Sequence, residues 1–397
     1  MTKLNIKMRD TEVSVETDFG ANDIVKLITG IEQSKNIIPI VTLTTEMTKQ
    51  EEIYSIGKVG TKGFGVAAIE DTYLPKGFKK LKGHDDIDSD NYGNVLDNNG
   101  SQLVWIPRFY FKWTSKNKCK ISDYQKEGYA LHEMFYDGGM QLRGIFVDKY
   151  ECGNIDGIFA SKEGIEPCST RGNNSITDLK NNPSETYGGL YKAVKTRGQN
   201  YNLTTLFTYN GLSMLMFANN NNSLEKIKYH NNQKCGVFWI DPYRYEVASG
   251  FIKLNNNDSI FKVISKDVKI KDFKDDKDAY NPDFYDDIDL SGVVDGDDFW
   301  VFLDDKVQTF SMEDTKKTCL GIPRAEALSS ESNDTYANAG MYRYLRDEMA
   351  PIVGTWGDSS AAGAFAMNLY YSRTYSYYYV GGRASFNVPM SGTNDSE

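Results

Sequence analysis

Residues 354–386 read GTWGDSSAAGAFAMNLYYSRTYSYYYVGGRASF. Six of the ten residues from Tyr370 to Tyr379 are tyrosine: Tyr370, Tyr371, Tyr375, Tyr377, Tyr378 and Tyr379. Ser372, Thr374 and Ser376 stand between them, and Arg373 is the only charge. Tyrosine brings a large amphipathic contact area with few rotatable bonds, and serine brings small, adaptable hydrogen bonding; together they have the composition of a binding surface. The flanks differ. Gly354, Trp356, Gly357, Gly363 and Phe365 precede the run, and Gly381, Gly382, Arg383 and Phe386 follow it. They read as a frame around a display. A strand covering a sheet face is also rich in aromatics, but it alternates apolar with polar at period two. Tyr377-Tyr378-Tyr379 does not alternate, so these phenols must point to both faces or lie on a loop.

The bulk numbers set the limits. A chain of 397 residues suggests two or three domains and can bury a sizeable core. A net charge of −10 argues against a general binder of nucleic-acid backbones, which needs a basic footprint. Five cysteines, with no CxxC, point away from a disulfide framework and toward synthesis in a reducing compartment. No apolar run approaches the roughly 18 residues of a membrane span. The opening MTKLNIKMRD lacks the apolar core of a secretory signal. The expectation is a soluble protein made in a cytoplasm, without membrane insertion or a nucleic-acid partner, whose extracellular role would follow release by lysis.

Outward from the tyrosines, the chain divides. Val13 and Val15 alternate with polar residues and predict a strand within residues 1–20. Asn22 can cap a helix from Asp23 to about Ser34, with Ile24, Leu27, Ile28 and Ile31 on one face. Ile37 to Leu43 reads as a strand interrupted by Pro39. These pieces make a small N-terminal α+β or β module over residues 1–95. The polar run DDIDSDNYGNVLDNNGSQ, residues 85–102, reads as its linker. LVWIPRFYFKW (residues 103–113) and GIFVDKYECGNID (residues 144–156) predict strands. Thr204 or Thr205 can cap a buried helix that is apolar nearly all round through Leu206, Phe207, Leu212, Leu215, Met216 and Phe217, ending at Asn219–Asn222. Short strands with Gly and Asn turns follow, as in a meander. Residues 267–306 are acid-rich and read as an insertion or long loop. Trp105, Trp113, Trp239 and Trp300 sit in apolar runs and read as core.

The order of these pieces carries a resemblance. Ile106-Pro107-Arg108-Phe109 is followed by Asp148-Lys149-Tyr150-Glu151, then by a helix opened by Tyr201-Asn202-Leu203-Thr204-Thr205, then by Phe251-Ile252. The end supplies Gly354, Trp356, Ala362, Gly363 and Phe365, then Gly381, Arg383, Ala384, Ser385 and Phe386. This collinear set resembles the C-type lectin fold in its formylglycine-generating-enzyme-like branch. It is most similar to phage tail receptor-binding proteins of the tropism-determinant type and to the variable proteins of diversity-generating retroelements. The likeness covers roughly residues 100–388, leaving 389–397 as a tail, and implies an α+β class with a C-type-lectin-like fold in the C-terminal two-thirds.

The resemblance also implies a site. A variable, receptor-binding face would comprise Trp356, Asp358, Asn368, Tyr370, Tyr371, Ser372, Thr374, Tyr375, Ser376, Tyr377, Tyr378 and Tyr379. Its partner would be a bacterial cell-surface molecule, protein or glycan. Other tail or baseplate proteins would hold the N-terminal module, and a homo-oligomer, a trimer by analogy, would place it in the virion tail. The reactive cysteine pair of formylglycine-generating enzymes is missing, since no cysteine follows Cys319. The calcium-bound Glu-Pro-Asn or Gln-Pro-Asp of sugar-binding lectins is missing too. The sequence therefore predicts a binding protein rather than an enzyme, requiring no cofactor. Two alternatives are an oxidase-like or carbohydrate-active enzyme on the same scaffold, and a structural baseplate protein whose tyrosines form a subunit interface.

Little other chemistry is written in the chain. His84, His132 and His230 are scattered, and none sits in a recognised catalytic spacing. One spacing stands out. Asp287, Asp289, Ser291, Gly292, Val293, Asp295 and Asp298 fall on positions 1, 3, 5, 6, 7, 9 and 12 of an EF-hand-type loop. Calcium is thus an optional ligand there, against the plainer reading of a solvated acidic loop.

Overall fold

The computed structural model describes residues 56–224, 244–254, 259–294, 299–354 and 364–390, together with the strands 2–8, 11–17, 40–44, 233–234 and 237–238. By contacts the chain divides into two units, residues 1–55 and 56–397. In the first, Thr2–Met8 lies between Thr11–Thr17 and Ile40–Thr44 in an antiparallel sheet. The register sets Leu4 opposite both Val15 and Leu43. The expected strand within residues 1–20 is therefore two strands; the helix expected from Asp23 lies outside the described residues.

The boundary falls at Ser55/Ile56 rather than near residue 95, because residues 56–100 pack into the second unit. Ile56, Phe64 and Val66 join its core, and Lys79–Lys80 and Asn94–Leu96 are strands of its main sheet. The polar run expected to be a linker bonds to its own turns. Asp97 Oδ1 accepts from the Asn99 and Ser101 amides, and His84 accepts from the Ile69 amide while its other ring nitrogen pairs with the Asn94 carbonyl. Local side-chain bonds of this kind let Asp, Asn and Ser pack tightly in turns.

The main sheet of the second unit runs in the order Tyr201–Leu203, Ala384–Pro389, Met140–Asp148, Gln102–Pro107, Asn94–Leu96, Lys79–Lys80. Every pairing in this path is antiparallel. Its central strands are buried on both faces, which is why they read as near-continuous apolar runs. Val104, Ile106, Ile145 and Val147 face the core around the helix Leu206–Asn219. Leu103, Trp105 and Phe146 face a second core that includes residues of the helix Tyr187–Val194. Thr205 caps the longer helix by accepting from the Thr208 amide, and Asn221 and Asn222 take positive φ beyond its end. Nearly every residue of that helix is buried.

A second sheet runs Leu328–Ser329, Phe299–Leu303, Gly340–Arg343, Met367–Asn368, Ile352–Gly354, Tyr245–Val247, Val380–Gly381, with two parallel pairings. Phe251–Ile252, Ile260–Ile264 and Tyr285–Asp289 form a separate meander. The acid-rich segment 267–306 is therefore no loose insertion. It supplies strands to two sheets and buries Phe273, Ala279, Leu290 and Val294. Among its described carboxylates Asp272, Asp275, Asp283, Asp286, Asp287, Asp289 and Asp305 are exposed. Trp105 and Trp113 are core as expected, Trp300 is half-buried, and Trp239 lies outside the described residues. The molecule is thus α+β, mostly strands in several antiparallel sheets with few helices.

Candidate functional site

The tyrosine segment joins two strands of the second sheet, Met367–Asn368 and Val380–Gly381. Two other strands lie between them in the sheet, so the connection crosses about 14 Å, three interstrand spacings. Such a crossing is made by a loop, and that accounts for the absence of alternation.

The backbone of this loop is fastened along its length. Tyr370 N donates to Asn368 Oδ1 at 2.8 Å and Ala350 N donates to the Tyr371 carbonyl at 2.9 Å. Arg373 N donates to the Glu348 carbonyl at 2.8 Å, and the Arg373 carbonyl accepts from Tyr187 N at 3.1 Å, at the first turn of a helix whose cap side chain makes no such bond. Tyr377 N donates to Thr170 Oγ1 at 2.9 Å, and Tyr245 N donates to the Tyr379 carbonyl at 2.6 Å. These bonds tie the loop to four other segments of the chain, so the side chains are carried on an anchored backbone.

Those side chains form a row. Tyr370 and Tyr371 meet edge to face at 5.2 Å; Tyr371 stacks on Tyr375 at 3.8 Å and Tyr375 on Tyr377 at 6.0 Å; Tyr377 touches both Tyr378 and Tyr379. The row continues into residues that the sequence reading did not include. Tyr370 contacts Tyr342 and Tyr344, and Tyr342 meets Trp300 at 5.1 Å. Their alternation with buried Met341 and Arg343 on one strand was the available signal. Tyr378 and Tyr379 are 51% and 44% exposed, and the other rings are half-buried. Burial, then the neighbouring phenols, push the Tyr375 hydroxyl well up, so it stays a donor.

Of the other expected site residues, Thr374 is exposed, and Ser372 and Ser376 are half-buried. Asn368 is buried, and its side chain fixes the turn at Tyr370 instead of facing outward. Trp356 and Asp358 lie outside the described residues.

A buried ionic centre joins residues that carried the resemblance, Asp148, Glu151, Thr204 and Arg383, to Asp97, Arg197, Arg244 and Glu246, which did not. Arg383 donates through Nε to both oxygens of Glu246 at 2.8 Å and through Nη1 to the Asp148 and Lys149 carbonyls. Arg197 bridges Asp148 and Asp97 at 2.7 Å, with all three side chains fully buried. Burial works against the Arg197 charge, but Asp148 and Asp97 more than offset it and its pKa is raised. Ala384 N donates to Asp148 Oδ2, and Thr204 N and Oγ1 both donate to the Arg383 carbonyl. Glu151 receives Arg244, which also donates to the Cys168 carbonyl. Burial pushes the Glu151 carboxyl up to about 7, with Arg244 pulling it down and Glu246 pushing it up. A Cβ at Gly381 would collide with the Glu151 carboxylate and the Cys168 carbonyl, which explains a glycine at that position.

The remaining candidates are dispersed. Asp287 and Asp289 lie on the strand Tyr285–Asp289; Asp287 pairs with Lys262, and Asp289 accepts from the Ser291 amide and hydroxyl. Val293 is buried, Gly292 has φ +76°, and Asp295 and Asp298 lie outside the described residues. Among the described residues no three His, Cys, Asp or Glu side chains are grouped to hold a metal. His132 is buried beside Phe109 and Phe111, accepts from the Met134 amide, and is held by burial at about 3. His230 lies outside the described residues. Cys119, Cys152, Cys168 and Cys319 are buried free thiols, and burial raises each, Cys168 to about 12, opposite to what a reactive thiolate needs. No helix among the described residues is long and apolar enough to cross a membrane. No protein-family model matches the chain, and no curated protein is found similar to it.

Proposed function

We propose that the chain is a receptor-binding protein of a phage tail or tailocin. Its second unit is a C-type-lectin-like head of the formylglycine-generating-enzyme-like branch, and its first unit attaches it to other tail or baseplate proteins. The head binds a bacterial surface molecule through the tyrosine-rich segment, and a homo-oligomer, a trimer by analogy, multiplies weak single contacts. The observation that carries this reading is the connected row of half-exposed rings on a backbone anchored at several points along the loop. A docking surface needs this combination, because side chains already held in place lose little freedom on binding. Further support comes from Asp148, Tyr201, Thr204, Glu246 and Arg383. Four of these belong to the resembling motifs, and they meet in one buried hydrogen-bonded centre. A stiff scaffold with tolerated loop side chains also suits diversification by a retroelement.

Replacing Tyr377, Tyr378 and Tyr379 together by Ala tests the proposal. The expected result is a loss of binding to a panel of bacterial strains, with melting temperature and oligomeric state retained. Exposed Tyr378 and Tyr379 also favour a second reading, a baseplate subunit with a tyrosine-lined interface. In that case the variant keeps cell binding and its oligomer falls apart.

A further inference from the structure

The row has an electrostatic polarity that composition alone does not reveal. Tyr371, Tyr375 and Tyr377 stack with interplanar angles of 23° and 16°. Tyr371 and Tyr375 therefore cover one face of each other, while Tyr377 is set parallel and offset. A stacked, half-exposed phenol turns outward its rim, the positive part of the ring quadrupole, and its O–H. Guanidinium groups lie at both ends of the tyrosine run. Arg346 sits over Tyr344 and Tyr370, at 5.1 and 4.3 Å from the ring centroids, and Arg171 sits over Tyr378 at 5.6 Å. Neither makes an ion pair with a described carboxylate, and Arg346 Nε is buried without a hydrogen-bond partner. A third guanidinium, Arg373, is different: Asp276 and Glu348 flank it at 3.4 Å. The strip thus presents donors, positive rims and two uncompensated cations, on a chain of net charge −10.

We infer that the strip takes an anionic polysaccharide, a glycan chain whose repeating units bear carboxylate or phosphate groups. This rests on the receptor-binding reading of the same segment. Acceptor oxygens are what phenol O–H groups and guanidinium forks bind best. The row runs through several rings in succession, which suits a linear polymer. At physiological salt the Debye length is about 8 Å, so the distant negative charge of the chain is largely screened at the two guanidinium groups.

The test compares matched polymers on the full chain: polygalacturonate against its methyl ester, and poly(glycerol phosphate) against dextran. The expected result is that at least one anionic polymer binds about tenfold or more tightly than its neutral counterpart, and that raising NaCl from about 50 to about 500 mM abolishes most of the difference. Arg171→Gln combined with Arg346→Gln removes the preference while the melting temperature holds; the single Arg171→Gln, at an exposed position, removes part of it should the pair disturb folding. Equal binding of charged and neutral polymers overturns the inference, as does a double variant that keeps the full preference. So does cell binding that protease treatment of the cells eliminates, which identifies a protein receptor. The outcomes separate cleanly from the reading beneath. If the Tyr377–Tyr379 alanine variant loses cell binding while no anionic preference exists, only the polysaccharide falls. If that variant binds cells as the parent does, the receptor-face reading falls with it.

Discussion

Two aromatic assemblies in this molecule are built on similar spacings and end in opposite environments. In the interior, Phe217 is sandwiched between Trp113 and Tyr336, each at 5.3 Å and 12°, with Phe310 and Phe365 set edge-on around them. At the surface, Tyr371, Tyr375 and Tyr377 stack in a comparable way. The difference lies in the hydroxyls and in what carries the rings. The single phenol of the inner cluster, Tyr336, donates to Thr309 Oγ1 at 2.7 Å and is fully buried. The outer cluster has a hydroxyl on every ring and rides on a loop at the surface, whereas the buried tyrosines Tyr187, Tyr191, Tyr280 and Tyr285 each find a hydroxyl or carbonyl partner inside. A buried hydroxyl without a partner costs about 1–3 kcal/mol. One assembly therefore stabilises the fold, while the other leaves binding groups on view.

The contrast can be broken or sharpened by measurement. Phe217→Ala should have the largest effect, destabilising the second unit by about 3–5 kcal/mol in denaturant unfolding, because it removes the middle of a sandwich in a core that cannot collapse around it. A loss below about 1 kcal/mol would mean that the inner cluster is no more structural than the outer one. Next comes a pH effect at the buried ionic centre. The folded chain holds a proton on Glu151 up to about pH 7, whereas its ordinary carboxyl titrates at 4.5. The folded state thus binds this proton more tightly, so the stability it contributes is full below about 4.5 and is lost as pH rises through about 7. Glu151→Gln should flatten the decline of melting temperature between these pH values; an unchanged slope removes Glu151 as its source. The smallest effect is expected at the exposed end of the row. Tyr378→Ser should change stability by no more than about 0.5 kcal/mol. A loss of several kcal/mol there would make the surface row a part of the core.

Much of the architecture was legible because local chemistry and burial agree. The helix Leu206–Asn219 was readable from its Thr205 cap, its all-round apolar positions and the asparagines at its end, and each does in three dimensions what its chemistry suggests. The strands expected at 103–113 and 144–156 were readable from their apolar runs, but each run divides, into Gln102–Pro107 and Tyr110–Trp113 and into the end of Met140–Asp148 and Gly153–Ile155. The misreadings share one cause. Residues 85–102 and 267–306 are polar enough to resemble solvated loops, yet both pack. Their carboxylates either close turns, as Asp97 does toward Ser101, or stand exposed on a strand between buried residues, as Asp286 and Asp287 do between Tyr285 and Ile288. Composition averages over such local differences in burial. Of the calcium-type spacing, Asp287 and Asp289 sit on a paired strand that no linear spacing distinguishes from a turning loop, and Asp295 and Asp298 lie outside the described residues.

By itself the sequence determined that an aromatic, hydroxyl-rich segment near residue 375 could not be an ordinary strand, since three adjacent phenols cannot all be buried on one sheet face. It also determined which buried helix and strands would carry the fold. Only the tertiary structure decided that the row extends through Tyr344 and Tyr342 to Trp300, that Asn368 turns inward, and that Arg346 and Arg171 lie on the rings with no ion-pair partner among the described residues. The reason is physical. Hydrophobicity and periodicity act over a few neighbouring residues, whereas the partners of a ring or a charge are set by which distant strands the sheet brings side by side.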